Sequence, residues 1–195
     1  MNRKAWQYSK LDKKVTDRFK KLGDLGEYVA ANLLKQAGFK NVENLNQTTS
    51  ANVRFFDLRA ERDKEKYVIS VKARNKYENS AAGIKLNSRY KLFSDPKVVS
   101  DDARIKYKSE AAWVAVAIDV ENGTFDAYFG TLSMLKGNKK GIPMSSKAIQ
   151  SYERLAFCCP FEKIGVPKEE YRKLANTYKQ RSAGCSVKQF IQPEA

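Results

Sequence analysis

Histidine is absent from all 195 residues. That excludes Ser-His-Asp and Cys-His catalysis, HNH-type centres, histidine–metal phosphohydrolases and zinc sites that need imidazole. Any acid or base must be a carboxylate, a lysine, a tyrosine or a water on a metal. Cysteine is scarce: Cys158, Cys159 and Cys185 form an adjacent pair and a single residue, without C-x-x-C spacing. They imply no disulfide framework and read as reduced thiols. No P-loop and no G-x-G-x-x-G occurs, so no nucleotide cofactor is expected. No apolar run approaches the roughly 20 residues that span a bilayer. The start MNRKAWQYSKLDKK is charged, with no apolar stretch behind it, and does not read as a signal peptide. The expectation is a soluble intracellular protein of cytoplasm or nucleoid, with no membrane partner.

What the chain does have is positive charge: 37 Lys and Arg against 22 Asp and Glu, formally +15. A surplus of that size suits polyanions, most simply nucleic acid, where each neutralised phosphate releases counterions. Hydrophobic residues make up 42% and aromatics 11%, enough for a core. The length suits one domain with a small extension. No repeat or low-complexity segment occurs.

Residues 1–14 read as a basic N-terminal arm. From Val15 to Gly38, Leu22, Leu25, Val29, Leu33 and Ala37 recur at helical steps, and Gly38 is a natural stop. The runs VRFFDLRAE (53–61) and KYVISVKAR (66–74), joined by RDKEK, read as an antiparallel hairpin. Residues 75–110 read as irregular and basic. AAWVAVAIDV (111–120) reads as a strand covered on both faces, and ENG turns it into TFDAYFGTL (124–132). Ser145 or Ser146 is expected to cap a helix to about Phe157, with Ile149, Tyr152 and Leu155 against the sheet. Pro167 is expected to open a last helix to about Gln180. The order α, β, β, β, β, β, α, α is α+β, a mixed sheet flanked by helices.

Within the hairpin, alternation puts Phe55, Asp57, Arg59 and Glu61 on one face of the first strand. On the second it puts Ser70, Lys72 and Arg74 opposite the apolar Tyr67, Ile69, Val71 and Ala73. An aspartate inside a β-forming apolar run costs burial energy unless it is paired or holds a metal. If the two polar faces coincide, a carboxylate that can bind Mg²⁺ meets an ammonium that can steer water and stabilise a phosphate. The plainer alternative is a cross-strand ion pair.

The segment GDLGEYVAANLLKQAGFKNVENLN…VRFFDLRAERDKEKYVISVKAR, from Gly23 to Arg74, resembles the core of PD-(D/E)XK nucleases. Its layout is most like that of archaeal Holliday-junction resolvases and small bacterial nuclease-like proteins. The matching elements are the glycine–glutamate step Gly26-Glu27, Asp57 within FFDL, and Ser70-Val71-Lys72. The resemblance implies a restriction endonuclease-like α/β/α sandwich over residues 15–165, with 166–195 as a C-terminal helical extension. It also implies a Mg²⁺-dependent deoxyribonuclease, probing DNA as substrate, with Mn²⁺ accepted at an oxygen-rich site. Asp57, Glu27 and the main-chain carbonyl of Val71 would hold the metal. Lys72 would orient water, and Ser70 would offer a hydroxyl.

Two departures stand out. Phe56 precedes Asp57 where the family often has proline or a small turn residue. Ser70 replaces the family's second acid, so Glu27 is expected to stand in from the helix, with Glu61 or Glu78 as spares. Arg74, Lys76, Lys85, Arg89 and Lys91, interleaved with Tyr77, Tyr90 and Phe93, are candidate nucleic-acid contacts. Lys136, Lys139 and Lys140 form a second basic cluster. An endonuclease is expected, in a restriction, homing or junction/repair role. A chain with one site that cuts both strands would most simply be a homodimer. Two alternatives stay open: a catalytically silent DNA-binding protein on the same fold, and a basic RNA-binding protein.

Overall fold

The computed structural model describes residues 13–48, 55–76, 89–92, 95–135, 141–167, 169, 171–172 and 176. It is α+β, with a mixed six-stranded sheet in the order β1-β2-β3-β5-β6-β8 and a two-stranded sheet β4-β7. The strands are β1 Lys40–Asn44, β2 Leu58–Arg62, β3 Glu65–Asn75, β4 Arg89–Lys91, β5 Glu110–Asp119, β6 Thr124–Thr131, β7 Gly141–Pro143 and β8 Glu153–Pro160. The helices are α1 Lys13–Gln36, α2 Leu45–Thr48, α3 Pro96–Tyr107 and α4 Ser146–Ile149.

Helix α1 forms where the apolar spacing calls for it. Leu22, Val29, Ala30, Leu33 and Leu34 are buried on one stripe. It ends at Gly38, whose φ of 84° closes the last turn while Phe39 N–H donates to Leu34 O. The stripe packs on the face of β3 that carries Ile69, Val71 and Ala73, and on Val114, Val116 and Ile118 of β5. Gly26 makes the approach possible: a Cβ there would lie 2.4 Å from Ala73 Cβ. The opposite face carries two further clusters, Phe56, Val68, Val99, Ala103 and Ala111 under α3, and Trp113, Ala115 and Tyr128 beneath the small sheet, which contributes Ile142. Helices therefore cover both faces.

The β2–β3 hairpin is antiparallel, with Leu58 opposite Ile69, while β3 and β5 run parallel. A parallel pair needs a long crossover, and α3 lies in it. That helix corrects the expectation of an irregular segment over 75–110. Asp95 caps it by accepting from Lys97 N–H, and Pro96 stands in its first turn. The expected helix to Phe157 is corrected too. Ser145 does cap α4, but the helix stops at Ile149 and the chain turns into β8, pairing with the edge of β6. Among the described residues, Glu169 and Tyr171–Arg172 are helical; most of the expected last helix and the N-terminal arm lie outside the described residues. No helix among the described residues is long and apolar enough to cross a membrane.

Candidate active site

The strand around Asp57 is shorter than the alternation suggests. Phe55 has φ 82°, a left-handed conformation rare for a bulky residue, and regular pairing begins only at Leu58. The twist reverses the faces. Phe56 is buried under α3, whereas Leu58 and Ala60 are buried against α1. Asp57 thus sits where β2 departs from β3, and its carboxylate takes over a strand partner's role: Val71 N–H donates to Asp57 Oδ2 at 2.6 Å. Asp57 N–H donates to Ile69 O, and Leu45 N–H to Asp57 O, fixing the residue from both sides.

On β3 the expected alternation holds. Val71 and Ala73 join the core beneath α1, and Lys72 interacts electrostatically with Asp57 on the other side. Ser70 is buried at 5% exposure. Asp57, Ser70 and Lys72 line a cavity of about 170 Å³, closed by Phe55, Leu92, Pro96, Val99, Ala112 and Leu132.

Glu27 reaches the same end of the sheet from the middle of α1. The Gly26-Glu27 step does not open the helix, which begins at Lys13, so attraction to the helix N-terminus does not explain Glu27. Its carboxylate instead accepts from Asn44 Nδ2 at 2.9 Å and from Asn46 Nδ2 at 3.5 Å. Asn46 also hydrogen-bonds Asp57, so one carboxamide serves both acids. These two asparagines were not singled out from the sequence; only their position in NVENLN, between the helix and Asp57, could have pointed to them.

The electrostatics are coupled. Burial pushes Glu27 above the ordinary carboxylate range, against its Asn44 bond, and the Asp57 charge raises it further. Burial also raises Asp57, opposed by the Lys72 charge and the Val71 N–H. Burial lowers Lys72, opposed by Asp57 and, more weakly, Glu27. Two acids and a lysine in one half-dry place, each displaced towards neutrality, form a pattern typical of functional sites.

The other candidates fall elsewhere. Glu61 lies at the far end of β2, opposite Lys66 and accepting from Asn41, so it does not join the pair. Glu78, Lys85, Lys136, Lys139 and Lys140 lie outside the described residues, as do Tyr77 and Phe93. Arg74 donates to Ala73 O, and Lys76 pairs with the buried Asp126 at 2.9 Å. Arg89 and Lys91 are exposed on β4, flanking buried Tyr90.

Among the described residues no group of three or more Asp, Glu, His or Cys side chains gathers as a metal cluster would. The donor set is the two carboxylates of Glu27 and Asp57, with Ser70 on the same cavity wall as Asp57. Oxygen donors suit a hard divalent cation, and such a cation would offset the Asp57 charge that raises Glu27.

No protein-family model and no curated protein matches the chain. Among solved structures, it is similar to Hjc, a Holliday junction resolvase from the archaeal hyperthermophile Archaeoglobus fulgidus, at 19% identity and a TM-score of 0.45. The likeness covers 73% of this chain and 100% of that one.

Proposed function

We propose that the protein is a metal-dependent DNA endonuclease with its centre at Glu27, Asp57 and Lys72. The observation that carries this reading is the convergence of these three side chains, from α1, the β2 entry and β3, with charges coupled and burial opposing each. Asp57 and Glu27 would hold Mg²⁺, or Mn²⁺, together with the Val71 carbonyl. Bound there, the cation would supply Lewis-acid neutralisation of the phosphate's developing charge.

The chain's own groups then have defined tasks. Lys72, held below its ordinary pKa by burial, has a larger neutral fraction near neutrality than an exposed lysine. Neutral, its Nζ can take a proton from the attacking water as oxygen bonds to phosphorus and the P–O bond to the leaving oxygen breaks. Protonated, it stabilises the phosphate. Ser70, on the wall of the same cavity, would offer its hydroxyl to a phosphate oxygen. Asn44 and Asn46 orient Glu27. DNA is the proposed partner, and cleavage of both strands by a homodimer is the simplest assembly.

One observation favours a second reading, a DNA-binding protein without catalysis: no third acid joins Glu27 and Asp57 among the described residues. The deciding experiment incubates supercoiled plasmid and branched DNA with Mg²⁺, Mn²⁺ or EDTA, using wild type, Asp57→Asn and Lys72→Met. Metal-dependent cleavage, lost in both variants with DNA binding retained, supports the nuclease. Salt-sensitive binding with no cleavage on either substrate supports the silent binder.

A further inference from the structure

A second, larger depression meets the candidate site. The cavity holding Asp57, Ser70 and Lys72 shares Pro96 and Leu132 with a trough of about 1030 Å³ that extends towards the β2–β3 turn. One wall of the trough is a face of α3 with its C-terminal cap, where Lys97, Arg104 and Lys108 follow one another. Lys64 and Lys66 of the β2–β3 hairpin form the other wall. All five cations are exposed. Among the described residues the acids on the lining are Glu65 and Glu110, so the described lining is net positive. Arg104 has a weak neighbour in Asp101 at 3.3 Å, and Lys66 lies 4.0 Å from Glu61; exposed pairs of that kind exchange readily for a phosphate partner.

We infer that this trough is the track for the DNA backbone flanking the scissile phosphate. The inference rests on the proposed function for what lies at its end, but the binding it describes does not need cleavage. Lys97 to Lys108 spans roughly 16 Å at 1.5 Å per residue, a length of about five nucleotide steps at 3.4 Å per strand. Its cations therefore match a run of phosphates rather than one anion. Among the described residues no aromatic side chain lines the trough, and single-strand binders depend on such side chains to stack bases. The chemistry is that of phosphate contact without stacking, which suits a duplex and reads no base sequence. These residues differ from Arg74, Lys76, Arg89 and Lys91. They also give α3 a role besides covering the sheet.

The test is anisotropy binding in EDTA, with a labelled DNA duplex of about 25 base pairs, the matching single strand and an RNA duplex, between about 50 and 200 mM salt. The proteins are wild type, the triple variant Lys97→Gln, Arg104→Gln, Lys108→Gln, and a charge-matched control with Lys20→Gln, Lys35→Gln and Lys163→Gln. Thermal melts check that all three fold. The expected result is duplex preference in wild type, with about a tenfold or greater loss in the trough variant. Its log–log salt slope should fall by about 2.7, or about 0.9 for each lost phosphate contact, and the control should keep the wild-type slope. Equal slopes in the two variants overturn the proposal, as does wild-type preference for single strands or RNA. Because EDTA removes metal, absence of Mg²⁺-dependent cleavage would defeat the nuclease reading and leave this result standing.

Discussion

Val71 N–H donates to the carboxylate of Asp57 across fourteen residues of chain, at 2.6 Å. The bond joins the departure of β2 to the strand that carries Lys72, so the side chain proposed to hold a metal is also a structural acceptor. Two substitutions separate these roles. Asp57→Asn keeps an oxygen for Val71 and removes the buried charge; Asp57→Ala leaves the N–H without its acceptor. Asp57→Ala is expected to be less stable than Asp57→Asn by about 1–3 kcal/mol, the cost of an orphaned buried donor, in urea unfolding at pH 7. Equal midpoints and slopes for the two would show that solvent satisfies Val71.

Gly26 sets how closely α1 lies on β3, and thereby where Glu27 stands. A methyl at this position meets Ala73 Cβ at 2.4 Å, so the helix must shift. Gly26→Ala is expected to cost about 1–3 kcal/mol, as overpacking does, and to weaken Mg²⁺ binding through displacement of Glu27. Ala73→Gly in the same chain removes the obstructing atom and should restore much of both. The double-mutant cycle checks this: strictly additive destabilisation would mean the two positions do not touch.

The site's parts differed in how readily sequence disclosed them. The faces of β3 were legible because Ile69 to Arg74 alternate without interruption and both neighbouring strands preserve the register. Asp57 was legible as a residue needing a partner, but its geometry was not. The strand periodicity of VRFFDLRAE hides the turn at Phe55, whose φ of 82° moves Phe56 and Leu58 into different cores. Helix α3 carried readable signals, Asp95 as cap and Pro96 after it. Yet only Val99 and Ala103 of its residues are buried, and its abundant charge masked so narrow a stripe. Strand β8 was hidden for the opposite reason. Ile149, Tyr152 and Leu155 have helical spacing, but the open edge of β6 decides the conformation from Glu153 onward, which is tertiary information.

Glu27 gives a pH prediction. Its folded-state pKa is raised by burial, with Asp57 adding to the shift. A carboxylate raised on folding contributes most below its unfolded value, and the protein loses that stability as pH rises through the folded value. Glu27→Gln keeps an oxygen for Asn44 and cannot ionise. Relative to wild type it should therefore gain in melting temperature as pH rises from about 4 to 7, beginning near the ordinary carboxylate value. Saturating Mg²⁺ should narrow the difference at pH 7 by stabilising wild type. A constant offset across the range would mean that Glu27 ionises as freely folded as unfolded.

Lys72 and Asp57 restrain one another, and the restraint can be read from a slope. The lysine charge opposes the elevation of Asp57, so Lys72→Met should raise the folded-state pKa of Asp57 further. Stability lost as pH rises through that value then becomes larger in the variant. Removing a buried cation also relieves its own desolvation, and the Asp57→Asn background, which carries that relief without the aspartate's titration, separates the two effects. The stability of Lys72→Met relative to wild type should accordingly decline between about pH 4 and pH 7, and adding Asp57→Asn should flatten the decline. Chemical denaturation at several pH values supplies the curves. Parallel curves for wild type and Lys72→Met would dissolve the coupling, and with it the argument that these two side chains work as one unit.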